Sequence, residues 1–246
     1  MLLLFYDTIL QKRAFDLANE RARTLVAFGL SKGLTIDQCL ESTGITSDNF
    51  SDKDKILFST DQAQVRSENR LIKNILDHAN ESPFALGYQV GTDLSFNLFR
   101  LLSPSIFSNN KLTGVIETLN ESLSALFIGV KFRISINPPL LRLSLDLEGV
   151  LDEVLAQFIL ARNMGLIVAI HQAILESQDH CVSEVGFTFK YLPGMETLAG
   201  YFACPVKYEQ SENYLIGDML KIDFSHAMIN GIAAKVIESN CCQMKP

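Results

Sequence analysis

The spacing of apolar residues along the chain changes near residue 130, from a three- and four-residue repeat to alternation. The earlier repeat places apolar side chains on one face of a helix, so it predicts helices over 8–33, 34–45 and 59–83. The stretch 84–127 is predicted to contain two or three shorter helical pieces. The first half of the chain is therefore predicted to be helical.

Residues that favour helix ends mark where these helices start and stop. Gly33 is placed to follow the first helix, and Thr35 is a candidate N-cap for the second. Gly44 is predicted to stop the second helix and Pro83 to close the third, because proline disfavours helical backbone in the residue before it. The polar segment 46–55 is predicted to be a connection.

From residue 130 the alternation predicts strands. In VKFRISINPPLLRLSLDLE (130–148), apolar residues alternate with polar ones on both sides of a proline pair. This pattern is typical of an antiparallel hairpin with one buried face and one wet face. Alternation returns at 181–191, and two further strands are predicted near 205–209 and 213–217.

Helices are predicted between and after these strands. The longest spans 150–176, and its apolar side chains, which lie nearly all round it, indicate burial. Shorter helices are predicted over 195–204 and 225–240. The predicted fold class is α+β, with an N-terminal helical subdomain (1–127) packed on a mixed or antiparallel sheet unit (128–246) of order β-β-α-β-α-β-β, which includes the long buried helix.

The composition narrows the class of protein. The 246 residues are 48% hydrophobic, which is ample for a buried core, and they carry a formal net charge of −7. Such an acidic chain is poorly suited to bind a nucleic-acid backbone or an anionic membrane surface. Five cysteines without C-x-x-C spacing fit reduced thiols, and the opening MLLLFYDTIL lacks the basic region and cleavage site of a secretory signal. A cytoplasmic protein is expected.

Motif searches give little support for catalysis. The chain has no H-E-x-x-H, Walker A or G-x-G-x-x-G sequence, and its four histidines lack metal-ligand spacing. Gly87 and Gly91 form a G-x-x-x-G sequence, for which helix packing or a turn is favoured over phosphate binding. No catalytic residue, metal or cofactor is predicted. An enzyme built on scattered Asp, His and Cys residues is the least favoured hypothesis.

Six residues are candidates to line a ligand pocket: Phe96, Phe99, Arg100, Phe127, Phe132 and His171. Core packing is the simpler explanation of the phenylalanines, although an apolar pocket needs the same residue types. Arg100 lies in an apolar helical run, where its guanidinium either reaches solvent or binds a carboxylate of the protein or of a ligand. For His171, on the long apolar helix, a hydrogen-bonded core position is favoured over a ligand contact.

Four stretches carry a family resemblance: LVAFGLSKGLTIDQCLESTGIT (25–46), SPFALGYQVGTDLSFNLFRLLSPS (82–105), LTGVIETLNESLSAL (112–126) and VSEVGFTFKYLPGMETLAGYFACPVKYEQSENYLIGDMLKID (182–223). In their order and spacing they resemble the N-terminal effector-binding domain, of the arabinose-binding-like type, of AraC-type transcription regulators. The likeness runs from about residue 24 to residue 224, and extra residues at 105–111 depart from the family pattern.

The resemblance implies one regulatory domain that senses a small molecule and is not an enzyme. It implies an apolar or amphipathic effector bound between the N-terminal helices and the sheet, a homodimer, and no membrane partner. DNA contact is expected only through a C-terminal helix-turn-helix module that is absent from this chain. The alternative prediction is a standalone protein-interaction module that acts through its N-terminal helix.

Overall fold

In the part of the chain that the structure describes, the sequence folds into seven helices and a five-stranded mixed sheet. The structure is a computed structural model. It describes residues 18–52, 57, 61–94, 130–137, 139–149, 152–175, 182–191, 195–196 and 198–218. Five of these helices precede the first strand, as the change of pattern near residue 130 predicted.

The described helices, numbered in chain order, are α1 (18–31), α2 (Ile36–Leu40), α3 (Ser47–Ser51), α4 (Asp61–His78), α5 (83–94), α6 (Glu153–Leu175) and α7 (Leu198–Phe202). The strands are β1 (Val130–Asn137), β2 (Leu140–Leu147), β3 (Val182–Gly186), β4 (Val206–Lys207) and β5 (Asn213–Asp218). The predicted α+β class and the order β-β-α-β-α-β-β are confirmed. The helix predicted over 225–240 and the pieces predicted within 95–127 lie outside the described residues.

The first helix ends in the glycine turn that the sequence predicted. Gly33 has a φ of +93°, in the left-handed region. Its amide N–H donates to the Leu30 carbonyl at 3.0 Å, and the amide of Leu34 donates to the Gly29 carbonyl at 3.1 Å. These two bonds satisfy carbonyls that a helix end leaves open, and they fix the path of the chain into α2.

Two short capped helices follow this turn. Thr35 Oγ1 accepts a hydrogen bond from the Gln38 amide at 3.2 Å, while the Gln38 side chain accepts one from the Thr35 amide at 2.8 Å. α2 ends at Leu40 and is shorter than predicted. The prediction of a plain connection over 46–55 is wrong in part, because Thr46 caps the short helix α3 there.

Pro83 starts a helix instead of closing one. α4 ends at His78, and Ser82 Oγ accepts a hydrogen bond from the Ala85 amide at 3.1 Å as the N-cap of α5. Proline suits the first helical position because the N–H that it lacks would have no partner there. The prediction that the third helix runs to residue 83 is therefore wrong at its C-terminal end.

One apolar row of side chains crosses all five strands. The strand order is β1-β2-β5-β3-β4, and only the β3–β4 pair is parallel. The row is formed, from edge to edge, by Ile134, Leu143, Leu215, Val185 and Val206. All five belong to the hydrophobic core or pack against it, so the hairpin with one buried face is confirmed.

The opposite face of the sheet carries charges. Glu212 binds Arg142 at 2.7 Å and Arg133 at 3.3 Å, and the Arg142 guanidinium lies 3.8 Å from the centre of the Tyr214 ring. The Tyr214 ring fits because its neighbour is glycine: a Cβ at Gly186 would lie 2.2 Å from it. Arginine stacking and ion pairs thus cover this face, while the other faces the core.

The long helix α6 forms the centre of the molecule. The prediction over 150–176 is confirmed as Glu153–Leu175, and Asp152 caps the helix by accepting a bond from the Leu155 amide at 3.1 Å. Described side chains are buried on every side of α6, including the polar Gln157, Arg162 and Asn163. A helix this apolar is stable only when it is covered all round, here by other helices and by the sheet.

Candidate functional site

The helical part and the sheet-containing part approach closely where α5 crosses α6. A Cβ at Gly87 would lie 2.3 Å from the carbonyl oxygen of Phe158, and one at Gly91 would lie 2.1 Å from that of Arg162. Only glycine permits this approach of two backbones. The G-x-x-x-G sequence therefore serves helix packing, one of the two structural roles predicted for it.

A buried set of opposite charges joins α1, α4 and α6. Glu68 of α4 accepts hydrogen bonds from Arg21 of α1 at 3.0 and 3.2 Å, and from Arg162 of α6. We call these three residues the buried arginine cluster, because none of them is more than 8% exposed. Since each charge has left water, removal of one member leaves the others poorly compensated.

The pKa of Glu68 reflects competition between burial and charge. Burial alone would raise the pKa of this carboxyl, but the guanidinium groups of Arg21 and Arg162 lower it to about 2. Burial also lowers the pKa of Arg162, and Glu68 opposes that effect. Glu68 is therefore a carboxylate at any physiological pH, and the cluster keeps its ionic form.

A small cavity of about 40 Å³ lies beside the cluster and is lined in part by Arg21, Glu68, Ile159 and Arg162. Organic ligands usually occupy pockets of about 300–1,000 Å³, so this cavity is too small for one. One turn along α6 from Ile159, Asn163 is fully buried, and neither polar atom of its side chain has a hydrogen bond in the described part of the chain. Such an amide costs on the order of 1–3 kcal/mol. The surrounding packing must offset that cost.

A larger cleft lies between α1, α5 and α7, and we call it the junction cleft. Its volume is about 380 Å³, and it is lined by Phe28, Ser31, Lys32, Tyr88, Gln89, Thr92, Asp93 and Tyr201. Two of its helices belong to the helical part of the chain, and α7 belongs to the sheet-containing part. Its volume suits a small organic molecule, so the junction cleft is the candidate functional site.

Stacked aromatic rings form one wall of the junction cleft. Tyr88 of α5 stacks on Tyr201 of α7 with ring centres 4.9 Å apart, and its hydroxyl donates to the Tyr201 carbonyl at 2.6 Å. Phe202 packs edge-on against Tyr88 at 5.3 Å. Burial raises the pKa of Tyr88, so its hydroxyl remains a neutral donor. This pair is a direct link between α5 and α7.

Lys32, whose charge is balanced by Glu81, lies at the rim of the cleft. Lys32 Nζ donates to Glu81 at 2.5 Å and to the side-chain oxygen of Gln89 at 3.1 Å, and it lies 5.1 Å from the centre of the Phe28 ring. The hydrogen bond from Lys32 lowers the pKa of Glu81, so the carboxyl is ionised at neutral pH. The pair contributes no net charge to the cleft.

Asp93 lies one helical turn beyond Gln89 on α5 and also lines the cleft. Partial burial raises the pKa of its carboxyl, although the residue as a whole is exposed. Within the described ranges, no hydrogen bond or ion pair is made by this carboxylate. In the described part of its lining, the junction cleft therefore combines aromatic walls with one uncompensated negative charge.

The structure tests little of the pocket predicted from the sequence. Phe132 is 5% exposed and lies opposite Leu145 inside the core. His171 is on α6, but its side chain lies outside the described part of the chain. The remaining four candidates lie wholly outside it: Phe96, Phe99, Arg100 and Phe127. Their role as pocket residues stays a prediction.

The residues of the cleft and of the buried cluster were missed in the sequence. Arg162 offered a signal, because it and Asn163 are polar residues inside the apolar run FILARNMGLIVAI (158–170). A charge in such a run requires a buried partner. Tyr88 and Tyr201 offered none, because the contacting residues are 113 positions apart.

One motif was also missed: GLSKG (29–33) matches the G-x-S-x-G pattern of hydrolase nucleophiles. That motif requires a sharp turn from a strand into a helix. Here Ser31 lies in the last turn of α1, and its hydroxyl donates to the Phe28 carbonyl at 2.7 Å. The match comes from a helix that ends in glycine, and its geometry is not that of a nucleophile.

Neither a metal site nor a membrane-spanning helix is found in the part of the chain that the structure describes. The described residues contain no group of three or more His, Cys, Asp or Glu side chains arranged to hold a metal ion. Among the helices that the structure describes, none has both the length and the apolar character needed to cross a bilayer.

Comparison with family models identifies a match over most of the chain. The family model for the arabinose-binding domain of AraC transcription regulators, N-terminal, matches residues 33–219. Those residues make up most of the chain and include the junction cleft except for Phe28, Ser31 and Lys32 at the end of α1. A comparison with curated protein sequences found no match.

Proposed function

Because the chain belongs to the family of N-terminal arabinose-binding domains of AraC transcription regulators, we propose that it binds a small-molecule effector in the junction cleft and passes that event to an attached DNA-binding module. Membership makes it a regulatory domain and not an enzyme. The observation that carries the choice of site is that helices from both parts of the chain line the cleft.

The proposed mechanism follows from which contacts are fixed and which are not. α5 lies backbone to backbone on α6 at Gly87 and Gly91, so these two helices form one body. α7 meets α5 through a ring stack, the edge-on contact of Phe202 with Tyr88 and a hydrogen bond, and the C-terminal end of α1 reaches the same cleft through Phe28. An effector in the cleft would touch all three helices.

Such an effector favours whichever position of α7 relative to α1 and α5 gives it the most contacts. It shifts the population only as far as its affinities for the two arrangements differ. The chain acts in the proposal as a homodimer in the cytoplasm, and the buried free thiols of Cys39 and Cys204 suit a reducing compartment. DNA is contacted only by the attached module.

A thermal-shift screen tests the proposal, with fatty acids, amino acids and small aromatic compounds as candidate effectors. A ligand present at a hundred times its Kd stabilises the folded state by about 2.7 kcal/mol, which is readily measured. We expect at least one compound to raise the Tm. If none does at saturating concentration, the proposal is wrong.

A blocked cleft provides the control. Thr92 is exposed on α5 and lines the cleft, so Thr92→Trp should fill it without disturbing the core. Asp77 is exposed on α4 and does not line the cleft, so Asp77→Trp is the matched control. Stabilisation by an effector should disappear in the first variant and persist in the second. An effector that still stabilises Thr92→Trp binds elsewhere.

A further inference from the structure

The charges of the junction cleft restrict what it can bind. Of the residues that the structure describes, three ionised side chains lie in it or at its rim, and two of them, Lys32 and Glu81, neutralise each other at 2.5 Å. The third is the carboxylate of Asp93, which makes no ion pair within the described ranges. Among the lining residues that the structure describes, the net charge is therefore negative.

The rest of the lining favours a cation over an anion. Among the described lining residues, Lys32 is the one cation that an anion could approach, and the anion would have to displace the bonds to Glu81 and Gln89 at 2.5 and 3.1 Å. It would also be repelled by Asp93. A cation meets Asp93 directly and finds the aromatic rings of Phe28, Tyr88 and Tyr201 in the same cleft.

Aromatic rings and a carboxylate together are the usual means of binding an organic ammonium group. The negative face of an aromatic ring attracts a cation that lies over it within about 6 Å of the ring centre. Lys32 already shows the effect here, with Nζ 5.1 Å from the centre of the Phe28 ring. A carboxylate whose pKa is raised by burial gains further when a positive partner replaces lost water.

We propose that the ligand of the junction cleft is an organic cation, an ammonium group attached to an apolar or aromatic body. Its charged end pairs with Asp93 and its body packs on the Tyr88–Tyr201 wall. This inference rests on the proposed function for the place of binding, and it adds the chemical class of the effector. It makes the apolar or amphipathic effector expected from the resemblance specifically cationic.

Titration calorimetry with three probes of similar size tests this class. Benzyltrimethylammonium carries the charge, benzyl alcohol is neutral and phenylacetate is anionic. We expect the cation to bind at least tenfold more tightly than either of the others at low ionic strength. Binding should weaken as salt is added, because a partly exposed ion pair is screened.

Variants of one side chain assign the effect to Asp93. Asp93→Asn keeps the shape and removes the charge, so affinity for benzyltrimethylammonium should fall about tenfold. Asp93→Glu should retain most of it, and the matched Asp77→Asn change on α4 should leave it within twofold. Both aspartates are exposed residues, so neither substitution threatens the fold.

The outcomes separate this inference from the proposed function. If benzyl alcohol or phenylacetate binds as tightly as the cation, or if Asp93→Asn binds it unchanged, the cationic class is wrong. If the cation fails while a neutral or anionic compound from the thermal-shift screen depends on the cleft, the class is wrong and the sensing function stands. If no compound of any charge binds, both fail.

Discussion

The contact between α5 and α6 and the junction cleft lie on two faces of the same helix, and they are built in opposite ways. On one face Gly87 and Gly91 bring two backbones together, with 2.1 to 2.3 Å between a would-be Cβ and a carbonyl oxygen. On the other face long side chains leave a space of about 380 Å³. The face on α6 leaves no room for movement. The face on the junction cleft has room for a ligand.

The difference assigns a role to each region. Closely packed protein interiors adopt discrete arrangements and do not deform gradually. α6, with α5 fixed on it and the buried arginine cluster joining it to α1 and α4, is therefore the frame of the domain. The junction cleft is where a ligand can change the energy of one arrangement relative to another.

The largest expected effect comes from the buried arginine cluster. Glu68→Gln removes the buried carboxylate that Arg21 and Arg162 share, and we expect the free energy of unfolding to fall by about 3–5 kcal/mol. The exposed pair at the cleft supplies the control, because Glu81→Gln should cost about 0–1 kcal/mol. Urea denaturation measures both, and equal losses would contradict the proposed frame.

The same variant has a defined pH dependence. The pKa of Glu68 is about 2 in the folded chain, against 4.5 for an ordinary glutamate. A lowered pKa contributes stability above the unfolded value, and that contribution is lost as pH falls through the folded value. The difference in stability between wild type and Glu68→Gln should therefore be complete at pH 6 and narrow progressively below about pH 4.5. A difference that widens on acidification would show that the carboxylate is not the stabilising form.

A smaller loss is expected at the helix crossing. In Gly91→Ala the new methyl group would lie 2.1 Å from the Arg162 carbonyl oxygen, which neither backbone can avoid without moving. We expect a loss of about 3 kcal/mol in the free energy of unfolding, the upper range for an overpacked core.

Gly200 on α7 is the matched control for this substitution. Among the described residues, no atom beyond its chain neighbours and its own helix backbone lies within 4 Å of a Cβ placed there, so Gly200→Ala should gain up to about 1 kcal/mol from helix propensity. Should Gly91→Ala prove neutral, α5 and α6 would be free to separate. The α5–α6 contact would then not be the rigid region that we infer.

Local signals in the sequence were sufficient for much of the fold. Thr35 and Gln38 carry the whole of their capping box within four residues, and the alternation of β1 and β2 fixes which face is buried. Pro83 misled because proline fits both the end of one helix and the first position of the next. The serine before it, which makes the cap, is what decides between them.

Local sequence signals could not predict the candidate site, because its residues come together only in the folded chain. The glycine pair of α5 indicated close packing, but nothing near it indicates that the partner is the backbone of Phe158 and Arg162. Tyr88 and Tyr201 are each ordinary amphipathic residues until α7 docks on α5. The family resemblance supplied the regulatory class, and the junction cleft came from the fold.

The smallest expected effect concerns the link across the cleft. Tyr88→Phe removes the hydroxyl that donates to the Tyr201 carbonyl at 2.6 Å and keeps the ring stack. We expect a loss of about 1 kcal/mol in the free energy of unfolding, the usual worth of one hydrogen bond. Because the bond joins α7 to the α5–α6 frame, amide hydrogen exchange should become faster in α7 and stay unchanged at 158–166. Faster exchange in both regions would mean that the frame and the cleft move as one unit, which would remove the distinction between them.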